Sequence, residues 1–244
     1  MSKQYSALAL IYEHIMSSVD YKSWAEYIYS IYQMVGAPAG GVLELGAGTG
    51  KLSKYLKTKL DNIVLTDKSS DMLNHDSSLR INRVVCNMTK LPFNNKFGFI
   101  FSSFDSINYI LTKNKLNEFF NSIADVLENN GCFTFDVSLE KNSQRYQSGL
   151  NRAGSLGEIK FAQKSFYSEK ERIHYNEFKI KVEGKLYREI HKQKIYEFFD
   201  YFEILENSKL YVENCFEAFT FENAESNSER VQFILKKKSN YDNI

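Results

Sequence analysis

The nine residues Val42–Gly50, VLELGAGTG, constrain the fold of this chain more than any other segment. An apolar run, Val42–Leu45, leads into three alternate glycines, and a helical pattern begins at Lys51. Gly46, Gly48 and Gly50 let the backbone turn sharply and approach a ligand closely. The helix that follows offers amide donors and the positive end of its dipole. In an open parallel sheet, such a loop sits at the carboxyl ends of the strands, where ligands bind. The spacing is G-x-G-x-G rather than the G-x-G-x-x-G of dinucleotide sites. Glu44 stands two residues before the first glycine, where it disfavours a pyrophosphate and suits a ligand bearing an ammonium and a sulfonium. Charge therefore favours S-adenosylmethionine over a nicotinamide dinucleotide. A glycine turn with no ligand is the plainer alternative.

Strands and helices alternate on both sides of this loop. Tyr5, Leu8, Ile11, Tyr12 and Ile15, then Trp24, Ile28, Ile31, Tyr32 and Val35, predict two helical runs within 1–36. After the loop come a helix to about Leu60, a strand at Ile63–Thr66, a short helix near Ser70–Leu73, and strands at Arg83–Cys86 and Phe97–Ser102. A helix over Lys115–Leu127 should end at Asn130-Gly131, followed by a fifth strand, Cys132–Val137. This alternation predicts an α/β doubly wound, mostly parallel sheet. Lys141–Gly157 reads as loop, and three alternating runs, Glu158–Tyr167, Arg172–Val182 and Lys185–Lys194, predict a small antiparallel sheet turning at Glu183-Gly184. A helix over Tyr201–Val212 and paired strands Phe216–Phe221 and Val231–Leu235 bring the main sheet to seven strands with an antiparallel edge strand; a polar tail, 236–244, closes the chain. The expected division is a lid, 1–36, a core, 37–138 with 201–238, and an insertion, 139–200.

Asp67 closes the second strand and is placed to accept both hydroxyls of a ribose; its alternative role is a helix cap. Asn87 follows the third strand, where its carbonyl could accept from an adenine amine and Met88 could pack on the ring; an ordinary turn asparagine is the other reading. The balance of 31 basic against 30 acidic residues disfavours a protein living on phosphate contacts, although a local basic groove remains open. Three scattered cysteines suggest neither a disulfide framework nor a metal site. No apolar leader and no stretch of about 20 apolar residues is present, which predicts a cytoplasmic protein away from the membrane.

The succession VLELGAGTG, TDKS, CNM and NNGCFTFDV, over about 40–137, resembles class I S-adenosylmethionine-dependent methyltransferases. The resemblance implies a Rossmann-like fold and S-adenosylmethionine as cofactor, leaving as S-adenosylhomocysteine. It assigns Glu44, Gly46 and Gly48 to the methionine part, Asp67 to the ribose and Asn87 to the adenine side. Leu45, Ala47, Lys68, Met72, Met88 and Ser103 complete the implied cofactor contacts. Two positions depart from the family pattern: Asn87 replaces a commoner Asp, and Gly98 stands where an Asp often follows the first Phe of the fourth strand. The N-terminal segment, FDSINYI at 104–110 and the insertion are similar to a bacterial subgroup that includes N,N-dimethyltransferases of nucleotide-linked amino sugars. That likeness implies a lid in which Tyr12 and Trp24, with Tyr5 and Tyr21 nearby, close over the cofactor; Tyr12-Glu13 replaces the subgroup's usual Tyr-Asp.

The segment Phe104–Tyr109 follows the fourth strand, between methyl donor and acceptor in such enzymes. It lacks the Asn-Pro-Pro-Tyr or Asp-Pro-Pro-Tyr signature of planar-nitrogen methylation. Asp105 and Tyr109, with Tyr12, are the catalytic candidates; Asn108, Tyr109, His174 and Tyr175 are the acceptor candidates. His191 is a further possible base. Strand alternation puts Tyr175 and Glu177 on one face and His174 on the other. No strong base for an oxygen acceptor is evident, so a small-molecule nitrogen acceptor is favoured. An RNA or protein methyltransferase and a non-catalytic adenosyl-binding or nicotinamide-binding protein are the rivals. A monomer or homodimer is expected.

Overall fold

The structure is a computed structural model in which residues 7–238 are described. Tyr5 and the last part of the polar tail, 239–244, lie outside the described residues. The elements run α1 (Tyr12–Ile15), α2 (Tyr21–Met34), β1 (Gly41–Leu45), α3 (Lys51–Leu56), β2 (Ile63–Asp67), α4 (Ser70–Leu73), β3 (Asn82–Val85), β4 (Phe97–Ser102), α5 (Lys113–Val126), β5 (Leu127–Ser138) and α6 (Glu140–Tyr146). They continue with β6 (Arg152–Leu156), β7 (Ile159–Ser168), β8 (Ile173–Val182), β9 (Lys185–Lys194), α7 (Phe198–Glu206), β10 (Leu210–Glu217) and β11 (Arg230–Lys237). Short 3-10 turns at Leu8–Leu10 and Ser106–Tyr109 complete the set.

Seven strands form one sheet in the order β10-β11-β5-β4-β1-β2-β3. The pairs from β5 through to β3 are parallel, while β11 runs antiparallel to both β5 and β10. The chain winds outward from β1 to β3, then crosses back to β4, so the strand order reverses between β1 and β4. That reversal opens a crevice at their carboxyl ends. Strands covered on both faces have little need of polar residues. Accordingly β4, FGFIFS, is buried along its whole length. One face packs Leu43, Leu45, Phe133 and Phe135 against α5 and α7. The other packs Val42, Phe99 and Phe101 against α2 and α3. A second sheet, β6-β7-β8-β9, is wholly antiparallel. Glu183 and Gly184 both take positive φ, 49° and 79°, as a tight two-residue hairpin requires. A third cluster, Ala7, Leu8, Ile11 and Ile15 with Phe161, Phe178 and Ile180, ties the N-terminal segment to this sheet.

Four expectations are corrected. α5 passes directly into β5 at Leu127, because the Leu127–Gly131 segment pairs with β4 through a bulge instead of turning at Asn130-Gly131. Lys141–Gly157 is not all loop: it contains α6 and β6, and β6 escapes pattern reading because all its residues are exposed. The insertion sheet therefore has four strands. The late helix starts earlier and ends at Glu206, since the reciprocal Glu197–Asp200 capping box fixes its start. Leu210 and Val212 then belong to strand β10, which ends at Glu217.

Candidate functional site

The glycine loop spans the crevice between β1 and α3. Its position is fixed by Ala47 N–H, which donates to Thr66 C=O of β2 at 2.8 Å. Gly46 has φ +63°, a backbone that side-chain-bearing residues rarely adopt, and a Cβ there would press on Ser106 Oγ at 3.0 Å. Asp67 Oδ2 accepts from Gly48 N–H and Oδ1 from Ser69 N–H, both at 2.9 Å. Burial raises its carboxyl pKa despite these amide donors. Glu44 is 3% exposed and takes a short hydrogen bond from Ser53 of α3, so its carboxyl lies beneath the loop. Desolvation raises that carboxyl to about 8. The reader of the sequence sees the acid but not its direction, which the depth of β1 decides.

The other cofactor candidates fall into two groups. Met88 approaches the Gly46 position, and Lys68 holds its ammonium 5.8 Å over the Tyr109 ring, both at the crevice. Ser103, 4% exposed, has a buried Oγ without a partner among the described residues. Leu45 and Met72, by contrast, are buried in the protein interior. Asn87 is exposed, and its Oδ1 accepts from Thr89 N–H and Oγ1 at 3.1 Å, forming an Asx turn. Gly98 explains its own departure from the family pattern: a Cβ there would sit 1.7 Å from Ala39 C=O. The loop 38–40 crosses β4 so closely that no aspartate fits.

The N-terminal segment covers the loop. Tyr12 lies against Gly48, and its phenol is surrounded by Tyr21, Tyr109, Asp67 and Glu13; burial raises its pKa strongly. Glu13 clamps this cover down, accepting from Thr49 Oγ1 and Lys51 Nζ at 2.5 Å each. Trp24 sits deeper, packed between a tilted Phe104 and an edge-on Phe219 at 4.4 and 4.5 Å, with the Arg230 guanidinium 5.8 Å from its ring.

The turn after β4 is strained. Phe104 and Asp105 both have positive φ, 59° and 49°, without being glycine. Such residues persist only when their surroundings hold them. Asp136, fully buried on β5, accepts from Asp105 N–H at 2.9 Å and forms a close ion pair with Arg230 of β11. Ser138 Oγ donates to Asp105 Oδ2 at 2.8 Å, and Arg230 lies 3.6 Å from Asp105 Oδ1. Burial raises Asp136 to about 6, opposed by Arg230. Two carboxylates and one guanidinium leave this trio with one net negative charge when all are ionised. Asn108 is fully buried and acts as a staple, donating to Lys194 C=O at 2.8 Å and Ser138 C=O at 3.2 Å. The insertion sheet closes the far side: the His191 ring stands edge-on to Tyr109 at 6.1 Å, and Gln193 reaches Asp105 C=O at 3.5 Å. His174 is buried, 2.7 Å from Ser165 Oγ; burial lowers its pKa while Asp105 raises it. Tyr175 is not brought to the site. It lies on the other face of β8, stacked on Phe166 and donating to Glu171 at 2.8 Å.

The structure thus gathers Tyr12, Asp67, Lys68, Asp105, Tyr109 and His174 around one crevice. Glu13, Asp136, Arg230 and Glu189 were missed by sequence reasoning. Glu189 accepts from Ala7 and Leu8 N–H at 3.1 Å and is 3.2 Å from His191, linking lid to insertion. Two of these carried a signal: Asp136, a charge inside the apolar run FTFDV, and Glu13, the departure from the subgroup's Tyr-Asp.

Residues 42–131 match the family model described as "Methyltransferase domain". This stretch of the chain is a methyltransferase domain. A relative described as a candidate methyltransferase, YqeM of Bacillus subtilis (strain 168), is 27% identical over 96% of this chain and 97% of its own. The crystal structure of an S-adenosylmethionine-dependent methyltransferase from Clostridium acetobutylicum ATCC 824 superposes with a TM-score of 0.77 at 23% identity, covering 96% and 99% of the two chains. The sugar N-methyltransferase KedS8 from Streptoalloteichus sp ATCC 53650 superposes with a TM-score of 0.71 at 12% identity, covering 95% and 93%. The methyltransferase fold accounts for the crevice, and its donor set suits the cofactor: a glycine cradle, a carboxylate with two oxygens, and a buried hydroxyl at Ser103. Among the described residues, no group of three or more His, Cys, Asp or Glu is arranged to hold a metal ion, and no helix is long and apolar enough to cross a membrane.

Proposed function

We propose that this methyltransferase acts on an amine nitrogen of a small polar acceptor held between the 104–109 turn and the inner face of β7–β9. The observation that carries this reading is the Asp105–Arg230–Asp136 trio, built on buried Asp136 with Asp105 and Arg230 half-buried, and carrying a net negative charge beneath the acceptor turn when all three are ionised. Such a charge attracts an ammonium and does nothing comparable for a neutral hydroxyl. The insertion sheet encloses the acceptor side, which suits a small molecule better than an open chain. KedS8, a sugar N-methyltransferase of the same fold, is consistent with it.

In this reading Gly46 and Gly48 admit the methionine part of the cofactor, Asp67 accepts the ribose hydroxyls, and Tyr12 covers them. Lys68, Met88 and Ser103 line the same crevice. The bound cofactor supplies an electrophilic methyl on sulfur. The protein's task is alignment. Asp105 orients the amine, Tyr109 and His174 wall the approach, and Glu13 keeps the lid shut. Asp105 or water would take the proton from the bound ammonium, freeing the lone pair that accepts the cofactor's methyl. The test is methyl transfer from labelled S-adenosylmethionine to paired amine and hydroxyl analogues of a pyranose. Transfer to the amine member alone is expected. Transfer only to hydroxyl analogues, or binding of a nicotinamide dinucleotide instead of the cofactor, overturns the reading.

A further inference from the structure

The insertion sheet has two faces of opposite character. The inner face packs on the lid through Phe161, Phe178 and Ile180. The outer face presents Lys160, Lys164, Lys179, Lys181, Arg188 and Lys192, all exposed. Two acids lie among them, Glu177 and, at the Tyr175 end, Glu171, which accepts from the Tyr175 hydroxyl. Residues 151–196 hold eleven Lys and Arg against six Asp and Glu, in a chain with 31 against 30 overall. The remainder of the chain is therefore net acidic, and the positive charge is segregated here.

The arrangement works against the sheet's own stability. Lys160 lies directly opposite Lys181, and Lys179 directly opposite Arg188. Like charges facing across strands are destabilising. A face built only for solubility would interleave acids at these positions. Two rings stand in the middle of the patch: Phe166 and Tyr175, opposite one another on the two central strands, stack at 4.9 Å and 9°. Lys164 holds its ammonium 5.6 Å over Phe166, and Lys192 holds its own 5.4 Å over Tyr175. On the edge strand Leu186 and Ile190 are 56% and 52% exposed on this face.

We propose that the outer face of the insertion sheet is a docking surface for single-stranded RNA. Clustered cations answer the phosphate charge, and flat rings on an open sheet offer stacking to unpaired bases. The flexible lysines over Phe166 and Tyr175 can yield their ring faces to bases and take phosphates instead. Glu177, an acceptor in the middle of a cationic surface, matches a 2′-hydroxyl donor. The surface faces away from the cofactor crevice. The bound strand therefore anchors the enzyme and is not the methyl acceptor, so this inference goes beyond the proposed reaction and is read by binding alone.

The test is fluorescence anisotropy of the whole chain with a labelled oligouridine of about twelve nucleotides, at about 50 and 200 mM salt. Binding at low salt, weakened at least about tenfold at the higher, is expected. Lys179→Glu with Arg188→Glu should weaken binding by about tenfold or more. Tyr175→Leu should weaken it about five- to hundredfold. Both variants should bind S-adenosylhomocysteine as the wild type does; should the double variant fail that control, Lys179→Gln with Arg188→Gln replaces it. Absence of binding at low salt overturns the proposal. So does a Tyr175→Leu variant that binds like the wild type, an oligothymidine of equal length bound as tightly, or attachment to anionic phospholipid vesicles in place of RNA.

Discussion

At the scale of single residues, two buried acids govern the behaviour of the site. Asp67 carries two amide hydrogen bonds now and is the acceptor proposed for the ribose. Asp67→Ala should weaken S-adenosylhomocysteine binding by about 2–3 kcal/mol, as lost charged hydrogen bonds do; calorimetry measures it, and unchanged affinity removes Asp67 from the site. Glu44 behaves differently. Its folded pKa of about 8 is raised by desolvation above the unfolded value of 4.5, so the folded protein binds the extra proton between those two values. Stability therefore falls as pH rises from about 4.5 to 8 and is flat above, with a span of at most about 5 kcal/mol. Glu44→Gln should flatten the melting temperature of the unliganded protein over that window, and an unaltered pH slope would place the loss elsewhere. The sequence made the presence of both acids plain through strand and loop position. It could not show that one carboxyl points beneath the loop, because a side chain's direction along β1 depends on what packs on each face.

At the scale of elements, the glycine loop, α4, β4 and the β7–β9 hairpins were legible because each is a local pattern: glycine spacing, a short apolar run, or alternation about Glu183-Gly184. The α5–β5 junction was not, because a bulge made by pairing with β4 decides it and Asn130-Gly131 merely resembles a stop. β6 was silent since its register comes from β7. The same non-locality hid the lid clamp, in which Glu13 meets Thr49 and Lys51. Both members of its ion pair are about 30% exposed, 32% for Lys51 and 30% for Glu13, so the pair is moderate rather than strong. Glu13→Gln should loosen the lid, weakening cofactor binding by roughly 0.5–1.5 kcal/mol and raising protease sensitivity before Tyr21. Kinetics and cleavage unchanged from wild type would reduce Glu13 to a surface contact. Gly98→Asp probes the opposite case, a backbone crossing with no tolerance. The 1.7 Å approach of Ala39 C=O leaves the new side chain no space, so the variant should unfold or lose well over 10 °C of melting temperature, of the order of several kcal/mol in a chain of this size.

At the scale of the whole molecule, two sheets must act as one enzyme, and few links join them. The apolar part is the cluster of Leu8, Ile11 and Ile15 with Phe161, Phe178 and Ile180. The polar part includes Glu189 holding the Ala7 and Leu8 amides, Asn108 bridging Ser138 of the main sheet to Lys194 of the insertion, Gln193 reaching Asp105 C=O, and Tyr167 and Arg172 on Glu140. Asn108 also accepts from Ser138 N–H at 3.1 Å, so removing its side chain takes the partner from two buried backbone groups of Ser138 and from the half-buried Lys194 C=O. Each unpaired buried group costs about 1–3 kcal/mol. Asn108→Ala should therefore destabilise by more than an ordinary surface change, roughly 3 kcal/mol or above, and most of that loss should fall on the junction. Combined with Glu189→Ala, which frees the lid as well, the insertion loses its most buried polar links while its own four-strand ladder is intact. Scanning calorimetry of the wild type should then show one transition, and the double variant two, with the insertion melting first. A single transition in the double variant would mean that the apolar cluster, with the remaining Gln193 and Glu140 bonds, suffices to couple the sheets, and that Asn108 and Glu189 are shaped for chemistry rather than for holding the molecule together.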